Sequence, residues 1–568
     1  MFMKRNIVLL WLLAAATAAG AQTLSSTQLE NDTLEGRGHN LSPMQYGFDT
    51  ASDGVQRYWA LYNTHLAARQ AGVDVDYSAL ANKTVELTLP ADAPNFIPLT
   101  RHNDFKNVLF YVLDTVADRY LFRMGEDNYT LIDVDARWVD SGDFRSVPQL
   151  AEGMHLLILN DDNPWVAERI GFGTPAMRGD VLGVVDGVSR NRVVASYQTE
   201  ATKMKCYEVP VTDEPKTICN LHLRRHAEST HKLCLFSVYF ENNVNVYNVS
   251  VFTPQSKSFR HVNAAAELVA QCQGTQQPPL QDAGDCTKTR LLSDAAIYFQ
   301  SSTNIHCRDI YVDGTYSIPG RNGYAISANN TWNATFEHVV ADGNWGVFGN
   351  NNMSMTVLKD CDVNRFDIHC YGRDVLCKGC TFRKKQIQFS SLYGTLQFDS
   401  CRFVDCIPVR IRSSYNAYTP FDIVVNHCTL LSSTRHHQLV NVMLKDTARN
   451  SRPELSERCL PNVRINGLTV EQPWFVRHFD IYQPTGTTKL CRQPFDYLSN
   501  VTVDSLRIVT PRFRMRQPKV RITTVPAATL RPLTVQADGL LRQTRKGLKM
   551  KPPKLNIKLT SALPEMVR

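Results

Sequence analysis

An eight-residue pattern of apolar positions, apolar-x-apolar-x-x-apolar-x-apolar, recurs nine times between residues 244 and 508. Alternation with a period of two predicts strands that bury one face, and the two-residue break predicts one bend inside each copy. Between the third apolar residues of successive copies, the steps are 61, 29, 22, 19, 21, 27, 40 and 38 residues. The shortest steps define a unit of about 20 residues, to which the longer ones add loops. The copies are Val244/Val246/Val249/Val251, Ile305/Cys307/Ile310/Val312, Ala334/Phe336/Val339/Ala341, Thr356/Leu358/Cys361/Val363, Val375/Cys377/Cys380/Phe382, Leu396/Phe398/Cys401/Phe403, Ile423/Val425/Cys428/Leu430, Val463/Ile465/Leu468/Val470 and Val501/Val503/Leu506/Ile508.

The residue before the first apolar position is Asn in five copies and Asp in two. Asn and Asp tolerate left-handed backbone and hydrogen-bond their own main chain, so these copies are predicted to start at a corner. A unit of this length cannot bury a core by itself, whereas stacked units can. We therefore predict an all-β fold, a parallel β-helix. The turn residues are Asn243, Asn304, Asn333, Asn462, Asn500, Asp374 and Asp422.

Four cysteines, Cys361, Cys380, Cys401 and Cys428, occupy the third apolar position of successive copies. In a stack of parallel strands about 4.8 Å apart, such side chains lie one above another. Cys often serves as a small buried hydrophobe, so the four residues predict a ladder inside the solenoid. The C-x-x-C formed by Cys377 and Cys380 places both thiols at inward positions, which favours a core role over a redox or zinc site.

The chain has 15 cysteines, and an exported protein with many cysteines suggests disulfides. Two pairs lie in insertions between copies: Cys206 with Cys219, and Cys272 with Cys286. These two pairs are the disulfide candidates. Because the total is odd, at least one thiol is unpaired within a monomer.

Residues 1–21 are typical of a secretory signal peptide. Lys4 and Arg5 precede an apolar run at 7–16, and Ala19-Gly20-Ala21 offers small residues for cleavage. The run is too short to span a membrane, and no later stretch is apolar enough to predict a transmembrane segment. The predicted location is export: periplasmic, cell-surface or extracellular.

The segment 22–75 is polar at first and then contains a predicted helix over 51–70. Asp53 or Ser52 is suited to cap its N-terminus. We place this helix at the open end of the solenoid, where the first coil would otherwise expose unpaired backbone. Its apolar stripe consists of Val55, Tyr58, Leu61, Tyr62 and Leu66.

The β-helix is predicted over residues 76–510, with insertions near 200–233 and 254–293. Strand-like runs before the first copy are less regular, and we place them in the N-terminal coils. They are Val85–Leu89, Val108–Val112, Tyr120–Phe122, Thr130–Val134, Leu156–Leu159 and Val181–Val185.

Residues 511–568 form a basic C-terminal tail with 14 Lys or Arg and 2 Asp or Glu. The rest of the chain has 48 basic and 52 acidic residues, so the net charge of +8 is a property of the tail. The body is therefore not expected to bind nucleic acid. The tail is a candidate for contact with anionic glycans or a cell surface.

The Asn-headed strand repeats, the N-terminal helix and the export signal together resemble the right-handed parallel β-helix proteins of the pectate-lyase-like superfamily, whose exported bacterial members are common. The resemblance covers roughly residues 75–510 and is one of architecture. Neither the paired-Asp signatures of the polygalacturonase type nor a pectate lyase calcium cluster is present, so no functional residue carries over. The resemblance implies a protein that acts on polysaccharide or holds it.

Because the interior of the coils is filled, a site must lie on their outside. The strands preceding the later repeats align on the inward residues Ile368, Ile387 and Ile411. Earlier coils place Tyr298, Ser327 and Phe348 on the same face, with Gln300 further along. The later residues predicted there are His369, Gln388 and Arg412 in one column, flanked by Asp367 and Arg410, with Tyr371, Arg373, Lys385 and Tyr415 near the adjoining strands and turns.

This surface suits an extended, acidic polysaccharide, and the chemistry it could support is β-elimination from a uronic acid. Removing the proton beside a carboxylate requires cations for the developing negative charge and a base near neutral pH. Arg410 and Arg412 could bind the carboxylate, and His369 or Tyr371 could be the base. The predicted catalytic residues are His369, Tyr371 and Arg412, and the predicted substrate-binding residues are Asp367, Arg373, Lys385, Gln388, Arg410 and Tyr415.

Two alternatives stay open beside a polysaccharide lyase, so whether the protein is an enzyme is not decided by the sequence. A glycoside hydrolase needs two carboxylates at a set distance, for which Asp367 and Asp374 are weak candidates. A non-catalytic β-helix would bind glycan or be displayed on a surface. No metal ligands are predicted, since the adjacent His436 and His437 would point to opposite faces of a strand. The cofactor is unknown, with calcium as one candidate.

Overall fold

A computed structural model gives the fold of the chain. It describes residues 40–49, 53–116, 119–126, 129–166, 176–193, 204–211, 214–231, 233–252, 295–312, 324–341, 347–370, 372–383, 387–389, 392–411, 421–432, 437–443, 459–471, 478–485, 496–497, 500–509, 519–522, 534–538 and 556–560. The predicted signal peptide, the pair Cys272–Cys286 and the insertion near 254–293 lie outside these residues. No helix in the described part is long and apolar enough to cross a membrane.

The described residues form two α-helices, α1 (Gly54–Ala71) and α2 (Ala136–Ser141), and two 3-10 helices, Pro43–Tyr46 and Ser78–Leu80. The strands are β1 Thr84–Thr88, β2 Ile97–Pro98, β3 His102–Leu113, β4 Arg119–Met124, β5 Thr130–Ile132, β6 Met154–Val166, β7 Ala176–Val185, β8 Val188–Ser189, β9 Met204–Val211, β10 Lys216–Arg225, β11 Leu233–Tyr239, β12 Asn242–Phe252, β13 Ala295–Gln300, β14 Thr303–Val312, β15 Tyr324–Asn329, β16 Thr331–Ala341, β17 Val347–Asn351, β18 Met353–Lys359, β19 Asp362–Val363, β20 Phe366–Cys370, β21 Gly372–Lys378, β22 Thr381–Arg383, β23 Gln388–Phe389, β24 Leu392–Asp399, β25 Arg402–Val404, β26 Val409–Ile411, β27 Phe421–Leu431, β28 His437–Met443, β29 Cys459–Leu460, β30 Asn462–Glu471, β31 His478–Thr485, β32 Asp496–Tyr497, β33 Asn500–Val509, β34 Lys519–Ile522, β35 Thr534–Asp538 and β36 Asn556–Thr560.

The chain winds in coils, each with one stretch in a long parallel sheet and the next strand in a second wall. The long sheet holds seventeen strands: β1, β3, β10, β12, β14, β16, β18, β19, β21, β22, β24, β25, β27, β30, β33, β35 and β36. The second wall is a five-stranded sheet, β2, β4, β11, β13 and β15, beside a seven-stranded one, β17, β20, β23, β26, β28, β31 and β34. Three short strands of the basic tail, β34 to β36, continue these sheets. The predicted fold class, a right-handed parallel β-helix, is confirmed.

All nine predicted copies lie in register in the long sheet. Their third apolar positions form one inward column, in which Cys361, Cys380, Cys401 and Cys428 are 2%, 0%, 1% and 2% exposed. Each of these thiols donates to a backbone carbonyl of the preceding coil. The predicted cysteine ladder is therefore confirmed, and burial raises the pKa of the Cys380 thiol well above its usual value.

Four of the seven predicted corner residues, Asn243, Asn304, Asn333 and Asp374, have left-handed backbone. Asn304 Nδ2 donates to Asn243 Oδ1 at 3.0 Å, and Asn333 Nδ2 to Asn304 Oδ1 at 2.7 Å. All three residues are in the left-handed conformation, with φ between 50° and 55°. In eight of the nine copies the break contains a second residue with positive φ, such as Asn248 with φ 53°. Residues that accept this conformation thus turn these coils.

Helix α1 packs against β1 and β2, at the end of the solenoid where a cap is predicted. Asp53 Oδ1 accepts a hydrogen bond from the Gln56 amide at 2.8 Å, which completes the expected N-cap. Its buried residues are Tyr58, Ala60, Leu61, Thr64, His65 and Ala68. The predicted stripe is shifted at its C-terminal end, where His65 is buried in place of Leu66.

Three of the strand-like runs are not coils, which corrects the prediction for residues 130–185. β5, β6, β7, β8 and β9 form a separate antiparallel sheet. In β6, Leu156, Leu157, Ile158 and Leu159 are all buried because both faces are covered. One face packs on the region of α2, and the other packs on Trp332 of the β-helix. An unbroken apolar run therefore indicates a strand buried on both faces.

The predicted insertion near 200–233 is also wrong in part, because β10 is a further copy of the repeat. Ile218, Leu221 and Leu223 pair with Val246, Val249 and Val251, while Lys216 takes the first apolar position and hides the pattern. The proposed disulfide between Cys206 and Cys219 is wrong too, since Cys219 is a buried free thiol. The Cys206 backbone lies in the antiparallel sheet, opposite Leu159.

Candidate functional site

The outward residues of the second wall place aromatic and hydrogen-bonding side chains side by side along the stack. Tyr298 pairs with Ser237 and Ser327 on the neighbouring strands. Further along, Asp367 pairs with Gln388, which pairs with Arg410. We call this surface the polar strip. Its described members are Tyr120, Tyr239, Tyr298, Gln300, Tyr324, Ser327, Asn329, Arg365, Asp367, His369, Gln388, Arg410 and Asn441.

One end of the polar strip is aromatic. The rings of Tyr120 and Tyr298 stack with centroids 6.2 Å apart, and Tyr239 meets Tyr298 edge-on at 5.8 Å. Asn329 Nδ2 donates to Tyr298 Oη at 2.8 Å, and Tyr298 Oη donates to Gln300 Oε1 at 2.5 Å. Burial raises the pKa of Tyr298, so its hydroxyl stays neutral. Tyr120 and Tyr298 are each only 7% exposed, and the guanidinium group of Arg123 lies 3.9 Å from the centre of the Tyr239 ring. This end therefore presents hydroxyls and amides backed by packed aromatic rings.

The other end of the polar strip is built around the carboxylate of Asp367, which is fully buried. Arg365 Nη2 lies 2.5 Å from Asp367 Oδ2. Tyr324 Oη donates to the same oxygen at 3.3 Å, and His369 Nε2 lies 3.4 Å from it. Arg365 is buried, at 3% side-chain exposure, whereas His369 keeps 17% of its side chain accessible and Tyr324 is partly exposed. The carboxylate therefore holds Nε2 of a partly accessible imidazole.

Arg410 adds a second guanidinium group to this end of the strip. It is half-buried, and its Nε atom is buried without a hydrogen-bond partner in the described part of the chain. Burial lowers the pKa of Arg410, and the nearby positive charge of Arg365 lowers it further. The guanidinium groups of Arg365 and Arg410 therefore lie close enough for their positive charges to interact.

The register corrects the predicted column. Asp367, Gln388 and Arg410 are paired across three strands. His369 therefore lies two positions further along its strand than the residue opposite Gln388. Arg412, the third member of the predicted column, lies outside the described residues.

The error comes from the residue chosen as inward on the middle strand. Phe389 pairs with Ile368 and Ile411, whereas the alignment used Ile387. Both Ile387 and Phe389 are buried, at 0% and 1% exposure, so the strand has two inward candidates. The ring of Phe389 packs edge-on against Phe366 at 5.8 Å and takes the position opposite the isoleucines.

The remaining predicted site residues are not brought into the strip by the described structure. Arg373 lies on β21 of the long sheet, where its Nη2 donates to the Val193 carbonyl at 3.2 Å. Tyr371, Lys385 and Tyr415 lie outside the described residues. The roles proposed for all of these side chains stay predictions.

The sequence reading missed Arg365 and Tyr324. Arg365 precedes Asp367 by two residues, which is the spacing of side chains on one face of an extended chain. That spacing is a signal that could have found it. Tyr324 comes from an earlier coil, and no local pattern links it to Asp367.

The carboxylates considered for hydrolysis do not meet in the strip. Asp374 lies on β21 of the long sheet, where its Oδ1 accepts from the Thr395 amide at 2.9 Å. Burial raises the pKa of Asp374. Asp367 lies in the second wall, on a different strand layer. A pair of acids facing one substrate bond, as glycoside hydrolysis requires, is not formed by these two residues.

No protein-family model matches the sequence, and no curated protein matches it. Among solved structures, the tailspike protein of Pseudomonas phage LKA1 is similar over 88% of this chain and 78% of its own, with 13% identity and a TM-score of 0.44. The tailspike of Pseudomonas phage phi297 is similar over 87% and 84%, with 12% identity and a TM-score of 0.44. The tailspike of Acinetobacter baumannii bacteriophage AP22, solved with a capsular saccharide, is similar over 95% and 82%, with 13% identity and a TM-score of 0.36. Overlaps this loose do not indicate a shared function.

The chemistry open to the polar strip follows from its own groups. The half-buried guanidinium group of Arg410 suits an anion, above all a planar carboxylate that accepts two hydrogen bonds. Arg365 is 3% exposed and already bonded to Asp367, so it would contribute positive charge rather than a contact. An imidazole held by a buried carboxylate, as His369 is held by Asp367, is an arrangement used for general bases. The tyrosine hydroxyls and the amides of Gln300 and Asn329 at the other end are hydrogen-bonding groups suited to sugar hydroxyls.

Proposed function

We propose that this protein binds an extended acidic polysaccharide along the polar strip and cleaves it by β-elimination beside His369. The observation that carries the proposal is the Nε atom of Arg410, which is buried and lacks a hydrogen-bond partner among the described atoms. An unpaired buried donor is costly, and a uronate carboxylate would supply the missing acceptor. Burial and the positive charge of Arg365 lower the pKa of Arg410, and that charge adds to the attraction for an anion at this place.

The elimination step assigns a role to each group. His369 removes the proton from the carbon next to the uronate carboxylate. The electron pair of that bond forms a carbon–carbon double bond as the bond to the leaving sugar oxygen breaks, and that oxygen takes up a proton from water. Arg365 and Arg410 stabilise the negative charge that develops on the carboxylate. Asp367 holds the imidazole in place, as the third group does in other base arrangements.

A non-catalytic glycan-binding function is the second candidate. The observation in its favour is that Asp367 is fully buried and that three donors already surround its Oδ2 oxygen. A buried carboxylate with three donors can serve to hold the neighbouring side chains in fixed positions, which would suit a protein that binds glycan without cleaving it. The two candidates share the ligand and differ only in whether a bond is broken.

The test incubates the full chain with a series of uronate-containing polysaccharides and follows new ultraviolet absorbance. The absorbance reports the double bond that elimination creates. We expect His369→Ala to reduce the rate by about 10²-fold or more, as loss of a general base does. Arg410→Ala should weaken binding of the acidic chains. Arg402→Ala removes an exposed arginine of the long sheet and is the matched control.

Each outcome separates the candidates. Release of reducing ends without absorbance would indicate a hydrolase. Binding without either signal would indicate a glycan-binding protein. If His369→Ala and Arg410→Ala behave as Arg402→Ala does, the site lies elsewhere. If none of the acidic polysaccharides binds, the proposed ligand class is wrong.

A further inference from the structure

A second column of side chains runs along the bend of the long sheet. Its members precede the third apolar position of each coil and have left-handed backbone with positive φ. At the N-terminal coils the column is made of amides, and Asn248 Nδ2 donates to Asn220 Oδ1 at 2.7 Å and to Asn107 Oδ1 at 3.0 Å. We call this column the bend ladder. Its members are Asn107, Asn220, Asn248, Asp309, His338, Asp360, Gly379, Ser400, His427 and Gly467.

In the middle of the bend ladder the amides are replaced by an imidazole between two carboxylates. His338 Nδ1 lies 3.2 Å from Asp309 Oδ1 in one neighbouring coil. His338 Nε2 lies 4.0 Å from Asp360 Oδ2 in the other. The carboxylate of Glu337, the residue before His338, faces the same side. Ligand atoms of Glu337, His338 and Asp360 all lie within 4.8 Å of one another.

We propose that Glu337, His338 and Asp360 form a binding site for a divalent transition-metal ion, with zinc the best match. Zinc binds imidazole nitrogen and carboxylate oxygen at about 2.0–2.2 Å in a tetrahedral arrangement, which places ligand atoms roughly 3.4 Å from one another. The three side chains must therefore close in by about 1 Å around the ion, which needs only small side-chain rotations. Metal-binding histidines commonly have the second ring nitrogen held by a carboxylate. Asp309 takes that place at Nδ1, which leaves the Nε2 lone pair directed at Asp360.

The next residue of the bend ladder is a glycine, which leaves room for the side chain of Asp360. Gly379 follows Asp360 in the column and has φ 64°. A Cβ atom at Gly379 would lie 2.1 Å from Asp360 Oδ1, so any other residue would push the carboxylate away. The absence of a side chain there keeps Asp360 in the place that the proposed site needs.

The ammonium group of Lys359 would compete with the metal ion for the carboxylate of Glu337. Lys359 Nζ lies 2.6 Å from Glu337 Oε1, so an ammonium group neutralises this carboxylate when no metal is bound. His306 Nε2 lies 3.6 Å from the other oxygen of Glu337. Lys359 is itself half-exposed, and its ammonium can move into solvent when a doubly charged ion arrives. A competitor of this kind predicts that removing it strengthens metal binding.

The ligands come from neighbouring coils, since Glu337 and His338 lie on β16 and Asp360 follows β18. A bound ion would therefore tie successive coils together at their bend. Ligands that bind only the folded state stabilise it by mass action, so zinc should raise the unfolding temperature. The proposal does not depend on the polar strip or on any catalytic activity.

The test measures zinc binding to the full chain by calorimetry and, separately, the unfolding temperature with zinc and with a chelator. His338→Asn removes the nitrogen ligand but suits the bend, because Asn220 and Asn248 hold the same conformation with φ 55° and 53°. We expect this variant to fold and to lose both the zinc binding and the zinc-dependent rise in unfolding temperature. Asp360→Asn should weaken binding, and Lys359→Met should strengthen it.

His427→Asn is the matched control. His427 occupies the same bend ladder with φ 51°, but its neighbours there are Ser400 and Gly467, which carry no carboxylate. Zinc binding should be unchanged in this variant. The proposal is overturned if the parent chain binds no zinc, or if His338→Asn binds zinc as tightly as the parent. It is also overturned if His427→Asn removes the same binding event.

Discussion

At the scale of single residues, His65 shows how burial in the apolar core changes the pKa of an ionisable side chain. Its side chain is fully buried in α1, and its Nε2 lies 2.7 Å from Tyr77 Oη. The rings of Phe105 and Phe122 surround it. Burial lowers the pKa of His65 to about 3, because the imidazolium ion loses its hydration there. The folded protein therefore holds this histidine neutral, whereas the unfolded chain protonates it near its ordinary pKa.

The consequence is a loss of stability in acid. Because the pKa of His65 is lower in the folded state, its contribution is intact above about pH 6.5 and is lost as the pH falls toward 3. Between pH 7 and pH 4 the loss should reach about 3 kcal/mol, at about 1.4 kcal/mol per pH unit. The variant His65→Phe removes the titrating group. Urea unfolding of both proteins at the two pH values should show a smaller pH dependence for the variant, and equal dependence would contradict this assignment.

The candidate site was predictable from the sequence in its outward residues but not in the order of those residues along the wall. The repeat predicts which positions face outward, and it placed His369, Gln388, Asp367 and Arg410 on one wall. The order within the column depends on whether Ile387 or Phe389 lies opposite Ile368, and both are apolar. The alternation pattern alone cannot choose between two inward residues on a strand this short. The packing of Phe389 on Phe366 decides it.

At the scale of elements, the bend of each coil depends on a residue that accepts left-handed backbone. Asn220 is such a residue, with φ 55°; its Oδ1 accepts from Asn248, and its Nδ2 donates to Asp104 Oδ1 at 2.8 Å. Asn220→Ala should lose these hydrogen bonds and the permitted conformation, whereas Asn220→Gly loses only the hydrogen bonds. The left-handed conformation costs a residue with a Cβ roughly 1–2 kcal/mol. We expect Asn220→Ala to be less stable than Asn220→Gly by about 1 kcal/mol in urea unfolding. Equal stabilities would show that the conformation at this bend is not limiting.

The antiparallel sheet is held to the β-helix by a close contact at Trp332, which is 5% exposed. A Cβ atom added at Gly183 would lie 2.4 Å from the indole ring, so the backbone of β7 rests directly on it. Gly183→Val should separate the sheet from the coil, and Trp332→Ala should cost about 3–5 kcal/mol. Hydrogen exchange should then rise in the docked strands β6 and β7, while the cysteine ladder stays protected. The matched control is Leu131→Ala, which shortens a side chain of the same antiparallel sheet that is 61% exposed.

Elements differ in how well the sequence predicts them, for a physical reason. A coil of the β-helix repeats the same apolar positions, so nine copies reinforce one another. β10 departs from the apolar pattern only at Lys216, and alignment with the neighbouring strand β12 shows that its other three positions follow the pattern. The strands of the antiparallel sheet do not share a repeated pattern, and β6 is apolar on both faces. β5 and β6 pair with β9, more than 40 residues after β6 begins, and a single sequence carries no mark of that pairing.

The bend ladder could also have been predicted from the repeat, because its polar residues occupy the same position in successive copies. Asp309, His338 and Asp360 each precede the third apolar position of successive copies. The spacing that aligned the cysteines therefore aligned these residues as well. A reading of the polar positions in the same register would have placed the imidazole between two carboxylates.

At the scale of the whole molecule, the stack of coils sets the length of any ligand that follows it. From β4, which carries Tyr120, to β26, which carries Arg410, the second wall advances through β11, β13, β15, β17, β20 and β23. With about 4.8 Å between neighbouring strands, this distance is roughly 35 Å. A polymer that lies along the strip would meet tyrosine rings at one end and guanidinium groups at the other. The proposed polysaccharide binding should therefore depend on chain length and on charge at separate places.

Titration calorimetry with acidic oligosaccharides of defined length tests this division. Affinity should rise with length until the oligosaccharide spans about 35 Å and then level off. Tyr298→Ala should weaken the longest oligosaccharides and leave the shortest unchanged, because the aromatic end lies several coils from Arg410. Arg410→Ala should weaken every acidic oligosaccharide, and reduction of the uronate carboxyls to alcohols should produce the same loss in the unmodified protein. Affinity that is independent of length, or a neutral oligosaccharide that binds as tightly as the acidic one, would show that the ligand does not lie along this wall with its carboxylates at the arginines.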